Sequence, residues 1–368
     1  MVTYISPDGA FGGPVTVALA QSAALAKLGH DVTVFAGSPD DEVVESTLHG
    51  FVQKLFPARM IASPLGFASM HARGLTRYLS RHATQFDIAH VHMARDLVTL
   101  PAAMALQRRG VPTVIQPHGM IDRSSKPLAR VLDLFATKRT LSRASTVLSL
   151  TGAEDIELHL VAPGSTVSRV SNGVAVLELP SLDGRPEDVL FLARLHPRKR
   201  ATAFVAMAAL LVDDHPATRF SIVGPDEGDQ AAVAKKITDS GLTWKVHLEG
   251  ALAPSQTSDR LRRARVFVLP STGEVFPMTM LEAFASGTPT VCTDSLGIAE
   301  DCKRYGAAIV TDGSPQQLAD AVREVLRSPA LAESLRKGAY RYLREQLDIS
   351  AVATSLETTY RSATPGRT

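Results

Sequence analysis

Two carboxylates, Glu274 and Glu282, stand eight residues apart in the otherwise mostly apolar stretch Ser271-Thr-Gly-Glu-Val-Phe-Pro-Met-Thr-Met-Leu-Glu-Ala-Phe-Ala-Ser-Gly287. A buried carboxylate is costly unless it is paired or hydrogen-bonded, so a chain that keeps both there is a candidate for using them. A second charged group lies upstream, in Phe191-Leu-Ala-Arg-Leu-His-Pro-Arg-Lys-Arg200. Guanidinium groups clamp phosphate oxygens with paired bonds, and lysine adds a point charge. A run of charge is as a rule a solvated face. Here Arg194 directly follows an apolar strand, which places it at the ligand edge of a sheet.

The elements that must position these residues are legible around them. Val266–Leu269 reads as a strand, Pro270-Ser-Thr-Gly273 as a turn, and Pro277 as a first helical residue. A helix over 278–286 then ends at Gly287, a natural C-terminal cap. Glu274 falls in the loop before that helix and Glu282 about one turn inside it. The amides of Phe276, Met278 and Thr279 fall at its positive end. The plain alternative has Glu274 complementing the helix dipole and Glu282 facing water; the nearly continuous apolar character of the helix leaves little idle face for that.

Short β-branched runs alternate with helical segments along the whole chain. The strands expected are Val2–Ser6, Asp31–Ala36, Ile88–His92, Thr113–Gln116, Thr146–Leu150, Val189–Leu192, Phe220–Val223, Val246–Glu249, Val266–Leu269, Thr290–Thr293 and Ala308–Val310, with helices such as Val15–Leu28 and Val205–Val212 between them. Several strands are apolar throughout, as strands buried on both faces are. The alternation implies an α/β fold with parallel sheets in two series, separated by the turn-rich Leu179-Pro-Ser-Leu-Asp-Gly-Arg-Pro186. Two doubly wound domains would place loops at the carboxyl ends of their strands, and facing each other those loops would form a cleft of the kind that binds ligands.

A length of 368 residues suits two domains. With 39 Lys+Arg against 37 Asp+Glu, the balance argues against a general nucleic-acid binder. Cys292 and Cys302, the two cysteines, cannot make a disulfide framework or a cysteine zinc site, and a reducing cytoplasm is the default. The start MVTYISPDGAFGG does not read as a signal peptide, and the longest helix-like apolar run, Ala201–Val212, is too short to span a bilayer.

Three further features are ambiguous taken singly. Gly9-Ala-Phe-Gly-Gly-Pro14, between a strand and a helix, is either a phosphate-approaching loop or a tight turn. His118, in Gln116-Pro-His-Gly-Met120, follows a strand and reads first as a packed or capped histidine. His90 and His92 share one strand face with no third ligand evident.

Taken in order, these pieces resemble the retaining GT-B glycosyltransferases of the family 4 type. The matching segments are Gly12-Gly13, Ala26-Lys-Leu-Gly-His-Asp-Val-Thr-Val34, Phe86-Asp-Ile-Ala-His-Val-His92, His118-Gly119, Ser171-Asn-Gly-Val174, the pair Arg194 and Lys199, and the pair Glu274 and Glu282. The resemblance implies two Rossmann-like domains facing across a cleft: an acceptor-side domain over 1–178, joined by a crossing helix over 350–363, and a nucleotide-sugar-binding domain over 187–349. It implies that Arg194 and Lys199 neutralise the donor diphosphate, that Gly12 and Gly13 let a loop approach it, that Glu282 holds the ribose and that Glu274 holds the donor sugar. The amides of Phe276, Met278 and Thr279 would contact sugar and phosphate, His118 would line the sugar pocket, and Gly250-Ala251-Leu252 would border the base. His118, Arg194, Lys199 and Glu274 form the implied catalytic set, with no metal and no cofactor required. Ala175, Val275, Pro277 and Leu296 depart from the family's usual residues, which bears on fine donor contacts. A nucleotide-sugar isomerase or epimerase on the same fold, and a non-catalytic nucleotide-binding regulator, are the alternative readings.

Residues 70–143 carry twelve Lys/Arg against four acids. Arg73, Arg77 and Arg81 recur at helical spacing beside Leu75 and Leu79. Contact with an anionic membrane or a lipid-linked acceptor is one reading, a solvated helix face the other. The expected location is the cytoplasm, at the inner face of the membrane if that contact is made.

Overall fold

The computed structural model describes residues 1–4, 12–61, 68–123 and 132–364. It divides into two compact units, Met1–Gly173 with Ile349–Thr368, and Val174–Asp348.

The first unit is built on a nine-stranded sheet. Its strands are β1 (Val2–Tyr4), β2 (Thr33–Ser38), β3 (Val44–Leu48), β4 (Phe51–Met60), β5 (Met70–Ala72), β6 (Ala89–His92), β7 (Thr113–Gln116), β8 (Thr146–Ser149) and β9 (Val167–Arg169). Their order is β3-β4-β2-β1-β6-β7-β8-β9, with β5 paired to β4. From β2 through β1 to β9 every pairing is parallel. The central strands β1, β6 and β7 are buried at every residue, as strands covered on both faces are, although they carry the polar Thr3, His90, His92, Thr113 and Gln116.

Strands β3, β4, β5 and β9 are not among those expected from sequence. The side chains of β3 are all exposed, and β4 mixes Gln53, Lys54 and Pro57 with Phe51 and Phe56, so neither forms an apolar run. The hairpin between them turns on His49 and Gly50, at φ 50° and 87°. Two successive positive φ angles make the tight turn whose twist suits an antiparallel pair. Strand β2 begins two residues later than expected, and the last two residues of the expected Val2–Ser6 lie outside the described residues.

The second unit carries a six-stranded sheet of β10 (Asp188–Leu192), β11 (Arg219–Val223), β12 (Val246–Gly250), β13 (Val266–Leu269), β14 (Thr290–Thr293) and β15 (Ile309–Thr311). Their order is β12-β11-β10-β13-β14-β15, and every pair is parallel. In chain order this is 3-2-1-4-5-6, the Rossmann arrangement. The chain runs outward from β10 to β12, returns to β13 on the other side of β10, and runs outward again. Loops leaving β10 and β13 therefore flank the topological switch point, where ligands of such sheets bind.

The stretch Leu179–Pro186 is tied to the second unit. Arg185 donates to the carbonyls of Ala264 and Ser286 and to Thr288 Oγ1, and Arg336 donates to the carbonyl of Pro180. The terminal helix Ile349–Ala363 packs on the first unit, with Val352 and Leu356 against Val114, Leu148 and Val170. The apolar run Ala201–Val212 is helical only over Ala201–Ala209, a turn following.

Candidate active site

In the second unit the loop after β10 sends its four cations in four directions. His196 caps a short 3-10 turn, Pro197–Lys199, accepting from the Arg198 amide at 3.1 Å. Arg194 puts Nη1 at 2.6 and 2.7 Å from the two carboxylate oxygens of Glu227, in the loop after β11. Arg198 donates to the carbonyl of Gly273. Arg200, at φ 55°, donates to the carbonyls of Pro270 and Gly313 at 3.3 and 2.9 Å. Arg198 and Arg200 are thus spent on backbone of the neighbouring loops and hold them in place.

Lys199 remains, and its Nζ lies 2.6 Å from Glu274 Oε2, in the loop after β13. Only 15% of the Lys199 side chain and 14% of that of Glu274 are exposed. Burial pulls the Lys199 ammonium below its ordinary pKa, and Arg194 and Arg198 add repulsion; attraction to Glu274 opposes both. The backbone fixes Glu274 from two sides. The Thr272 amide donates to the Arg198 carbonyl at 2.9 Å, and the Gly297 amide to the Glu274 carbonyl at 2.8 Å. Glu274 Oε1 is buried and meets no donor among the described residues. An unpaired buried carboxylate oxygen requires an explanation, and a ligand hydroxyl supplies one.

The helix after Glu274 runs Met278–Ala285. Pro277 stands at its N-cap, at φ −78° and ψ 99°, and not as its first helical residue; its extended ψ carries the chain from the Glu274 loop into the helix. The amides of Met278 and Thr279 are in the first turn, where the helix offers no acceptor. Gly287, at φ 62°, ends the helix, its amide and that of Thr288 donating to Phe284 and Ala283 at 3.0 Å each. Glu282 is half-buried, and its carboxylate meets no partner among the described residues; burial pushes its pKa up to about 7. Gly250, at φ 77°, closes β12, its carbonyl accepting from Gly224 at 2.8 Å. Ala251 is exposed and Leu252 half-buried at the same sheet edge, two strands from β10. Phe276 is half-buried between Glu274 and the helix.

In the first unit, Gly12 and Gly13 begin the helix Gly12–Lys27, and residues 9–11 of the glycine-rich loop lie outside the described residues. Among the described residues, a Cβ at Gly13 would meet nothing within 4 Å. His118 follows β7 at φ 55°, and the Gly119 amide donates to Glu154 Oε1 at 2.5 Å. The other oxygen of Glu154 accepts from Leu150 at 2.7 Å. Burial lowers the His118 pKa to about 3, which keeps the ring neutral. His118 Nε2 lies 2.7 Å from His92 Nδ1.

Three partners of these residues were not legible in the sequence. Glu227 had only the signal of an acid in the turn Gly224-Pro-Asp-Glu-Gly228 after a strand. Glu154 had none, and His92, legible as sharing a strand face with His90, carried no sign of its pairing with His118.

Each half of the chain matches a family of known proteins. The model of Glycosyltransferase Family 4 matches residues 11–176, and that of Glycosyl transferases group 1 matches residues 180–342. A glycogen synthase of Mycobacterium tuberculosis is 28% identical over 401 residues, covering 100% of this chain and 95% of its own. A D-inositol 3-phosphate glycosyltransferase of Catenulispora acidiphila is 26% identical, over 79% of this chain and 76% of its own. Among solved structures, HepE of Anabaena in complex with UDP and glucose superposes with a TM-score of 0.75 at 17% identity, covering 97% of each chain. Sucrose-phosphate synthase of Thermosynechococcus elongatus superposes at 0.73 and 20%, covering 95% of this chain and 93% of that one. The two family models lie end to end, one on each Rossmann-like unit, and the chain belongs to the group 1 type of glycosyltransferase, with the GT-B fold.

Proposed function

We propose that the chain moves a sugar from a nucleoside-diphosphate donor to a glycan or glycolipid acceptor with retention of configuration at the transferred carbon. The observation that carries this reading is the half-satisfied pair Lys199–Glu274 at the β10/β13 switch point. Lys199, with Arg194, neutralises the diphosphate as it leaves, and charge of that kind is usually a large catalytic term. Glu274 Oε1 accepts a hydroxyl of the donor sugar, Glu282 the ribose hydroxyls, and the amides of Phe276, Met278 and Thr279 bind sugar and phosphate at a helix N-terminus. Gly250, Ala251 and Leu252 border the base. On the first unit, Gly12 and Gly13 have the diphosphate and His118 the sugar as their assigned contacts. The transition state is oxocarbenium-like, with the departing phosphate assisting attack on the same face; no step calls on a metal.

The test is a thermal-shift screen against UDP, GDP and ADP sugars, since a bound donor raises apparent stability by mass action, followed by transfer assays on Glu274→Ala and Lys199→Ala. Both variants are expected to fold and to lose most transfer. Wild-type rates in both would overturn the assignment.

For the acceptor side, Arg73, Arg77 and Arg81 are exposed while Leu75 and Leu79 are buried. Lys126 and Arg130 of the basic segment lie outside the described residues, and Arg95 is engaged by Asp133 at 2.8 Å. The exposed arginines support contact with an anionic membrane surface. No described helix is long and apolar enough to cross a membrane. Flotation with liposomes of neutral and anionic lipid checks this: no preference for anionic lipid would remove it.

A further inference from the structure

Arg200 stands between two helical pieces that its backbone must join. Its amide donates to the Pro197 carbonyl at 3.2 Å, closing the turn Pro197–Lys199. Its carbonyl accepts from the amides of Ala203 and Phe204 at 2.9 and 3.3 Å, opening the helix Ala201–Ala209. One left-handed residue, at φ 55° and ψ 44°, makes the change of direction. Glycine and asparagine adopt that conformation readily, whereas the Cβ of an arginine strains it. Among the described residues of the second unit, Arg200 is the one non-glycine at positive φ. Strain of this kind persists where the surroundings over-determine it, and it gathers at functional sites.

The surroundings that hold Arg200 are two carbonyls. Nη1 donates to that of Pro270 at 3.3 Å, at the start of the loop after β13, and Nη2 to that of Gly313 at 2.9 Å, in the loop after β15. A Cβ at Gly313 would lie 2.6 Å from Nη1, so the bare glycine leaves the guanidinium its place. The two residues before Arg200 fasten the same β13 loop further along. The Arg198 carbonyl accepts from the Thr272 amide, the Arg198 guanidinium donates to the Gly273 carbonyl, and Lys199 pairs with Glu274. Arg198 is exposed and Arg200 half-buried, so the strained residue is the better enclosed of the two arginine ties. It takes the point where the loop leaves the sheet. A guanidinium offers several donors in one rigid plane, and neither residue at ease in this backbone can replace them.

We propose that Arg200 is a positioning residue of the donor site: from its strained backbone it ties the loop after β13 to the loop after β15, and so holds Glu274 against Lys199. The inference deepens the transferase reading, on which its effect on sugar transfer rests.

Hydrogen exchange of the full chain reads the tether without turnover, at the amides of Thr272 and Gly297, which bond to the Arg198 and Glu274 carbonyls. Arg200→Gly keeps the left-handed backbone and removes the guanidinium. Arg200→Asn does the same with a side chain too short to reach. In both, exchange at Thr272 and Gly297 is expected to quicken by about tenfold or more while β10 and β13 keep their protection. Transfer is expected to lose about 10²-fold in kcat, the scale of a misplaced catalytic group, with UDP affinity changed by about twofold or less, since UDP lacks the sugar assigned to Glu274. Unchanged exchange at both amides overturns the inference. So does quickening throughout the sheet, or failure of both variants to fold, either of which makes Arg200 a residue of the fold alone. Local quickening with wild-type kcat overturns it as well. Local quickening in a chain whose wild type transfers no sugar from UDP, GDP or ADP donors upholds the tether and overturns the transferase reading instead.

Discussion

Lys199 Nζ lies 2.6 Å from Glu274 Oε2, while Oε1 of the same carboxylate meets no donor among the described residues. The two residues come from loops that leave adjacent parallel strands, β10 and β13. Each answers part of the other's burial. Breaking such a pair from one side leaves an uncompensated charge, whereas replacing both sides with apolar groups is close to neutral. Lys199→Met is therefore expected to destabilise the protein by about 2 kcal/mol, reduced from the fully buried case because both groups keep some solvent contact. Lys199→Met with Glu274→Leu is expected to recover most of that loss while still failing to bind a nucleotide sugar. Urea denaturation of the two single variants and the double variant gives the coupling directly; additive losses would mean the two charges are not coupled.

Glu282 leads to a pH prediction. Its folded pKa is raised from 4.5 to about 7 by burial. Between those values the folded state holds a proton that the unfolded state has released, so stability falls as pH rises through that window. Glu282→Gln removes the penalty. It is expected to raise the melting temperature at pH 8, by a stability on the order of 2 kcal/mol after allowing for partial exposure, and to leave it unchanged at pH 4. Ligand hydroxyls donate to the ionised form, so UDP affinity in the wild type is expected to increase as pH rises from 6 to 8. Calorimetric titration of UDP at the two pH values checks this; a flat affinity would separate Glu282 from the ribose.

How much of this was legible depends on whether the signal was local. β13, the turn at Gly273 and the cap at Gly287 follow from a fully apolar run bounded by residues that only certain backbones accept, and they place Glu274 and Glu282 without further help. The hairpin β3–β4 escaped because its register rests on cross-strand pairs such as Thr47 with Val52, and an exposed edge shows no apolar run. The His92–His118 bond joins residues 26 positions apart, through the pairing of β6 with β7. Nothing in either segment alone signals it. Arg194 was legible as a cation at a strand end, but its resting partner Glu227 lies 33 residues on and is set by the pairing of β10 with β11.

That resting partner has a measurable consequence. Both oxygens of Glu227 lie against one arm of Arg194, so an incoming diphosphate must compete for the guanidinium. Arg194 is 39% exposed, and pairs this open contribute at most about 1 kcal/mol. Glu227→Gln is accordingly expected to tighten UDP binding by about twofold to fivefold at low salt, with the gain shrinking as ionic strength rises. Calorimetric titration at two salt concentrations checks both statements. Weaker binding in the variant would mean that Glu227 positions Arg194 for the diphosphate instead of competing for it.

Gly224 sets the spacing on which Arg194 depends. It closes β11 at φ 149°, and a Cβ there would lie 1.9 Å from the carbonyl oxygen of Ala193, the residue before Arg194. The obstacle is backbone, so relief requires the ends of β10 and β11 to separate. Gly241, at φ 68° with nothing within 4 Å of a Cβ, isolates the backbone strain alone. Gly241→Ala is expected to lose about 1 kcal/mol from the left-handed conformation. Gly224→Ala is expected to lose about 3 kcal/mol or more, since overpacking adds to strain. It is also expected to weaken UDP binding where Gly241→Ala does not, because displacing Ala193 moves Arg194. Urea denaturation and UDP titration of the two variants decide it: equal losses of stability would show that the strand ends adjust freely, and unchanged UDP binding in Gly224→Ala would show that Arg194 does not depend on that spacing.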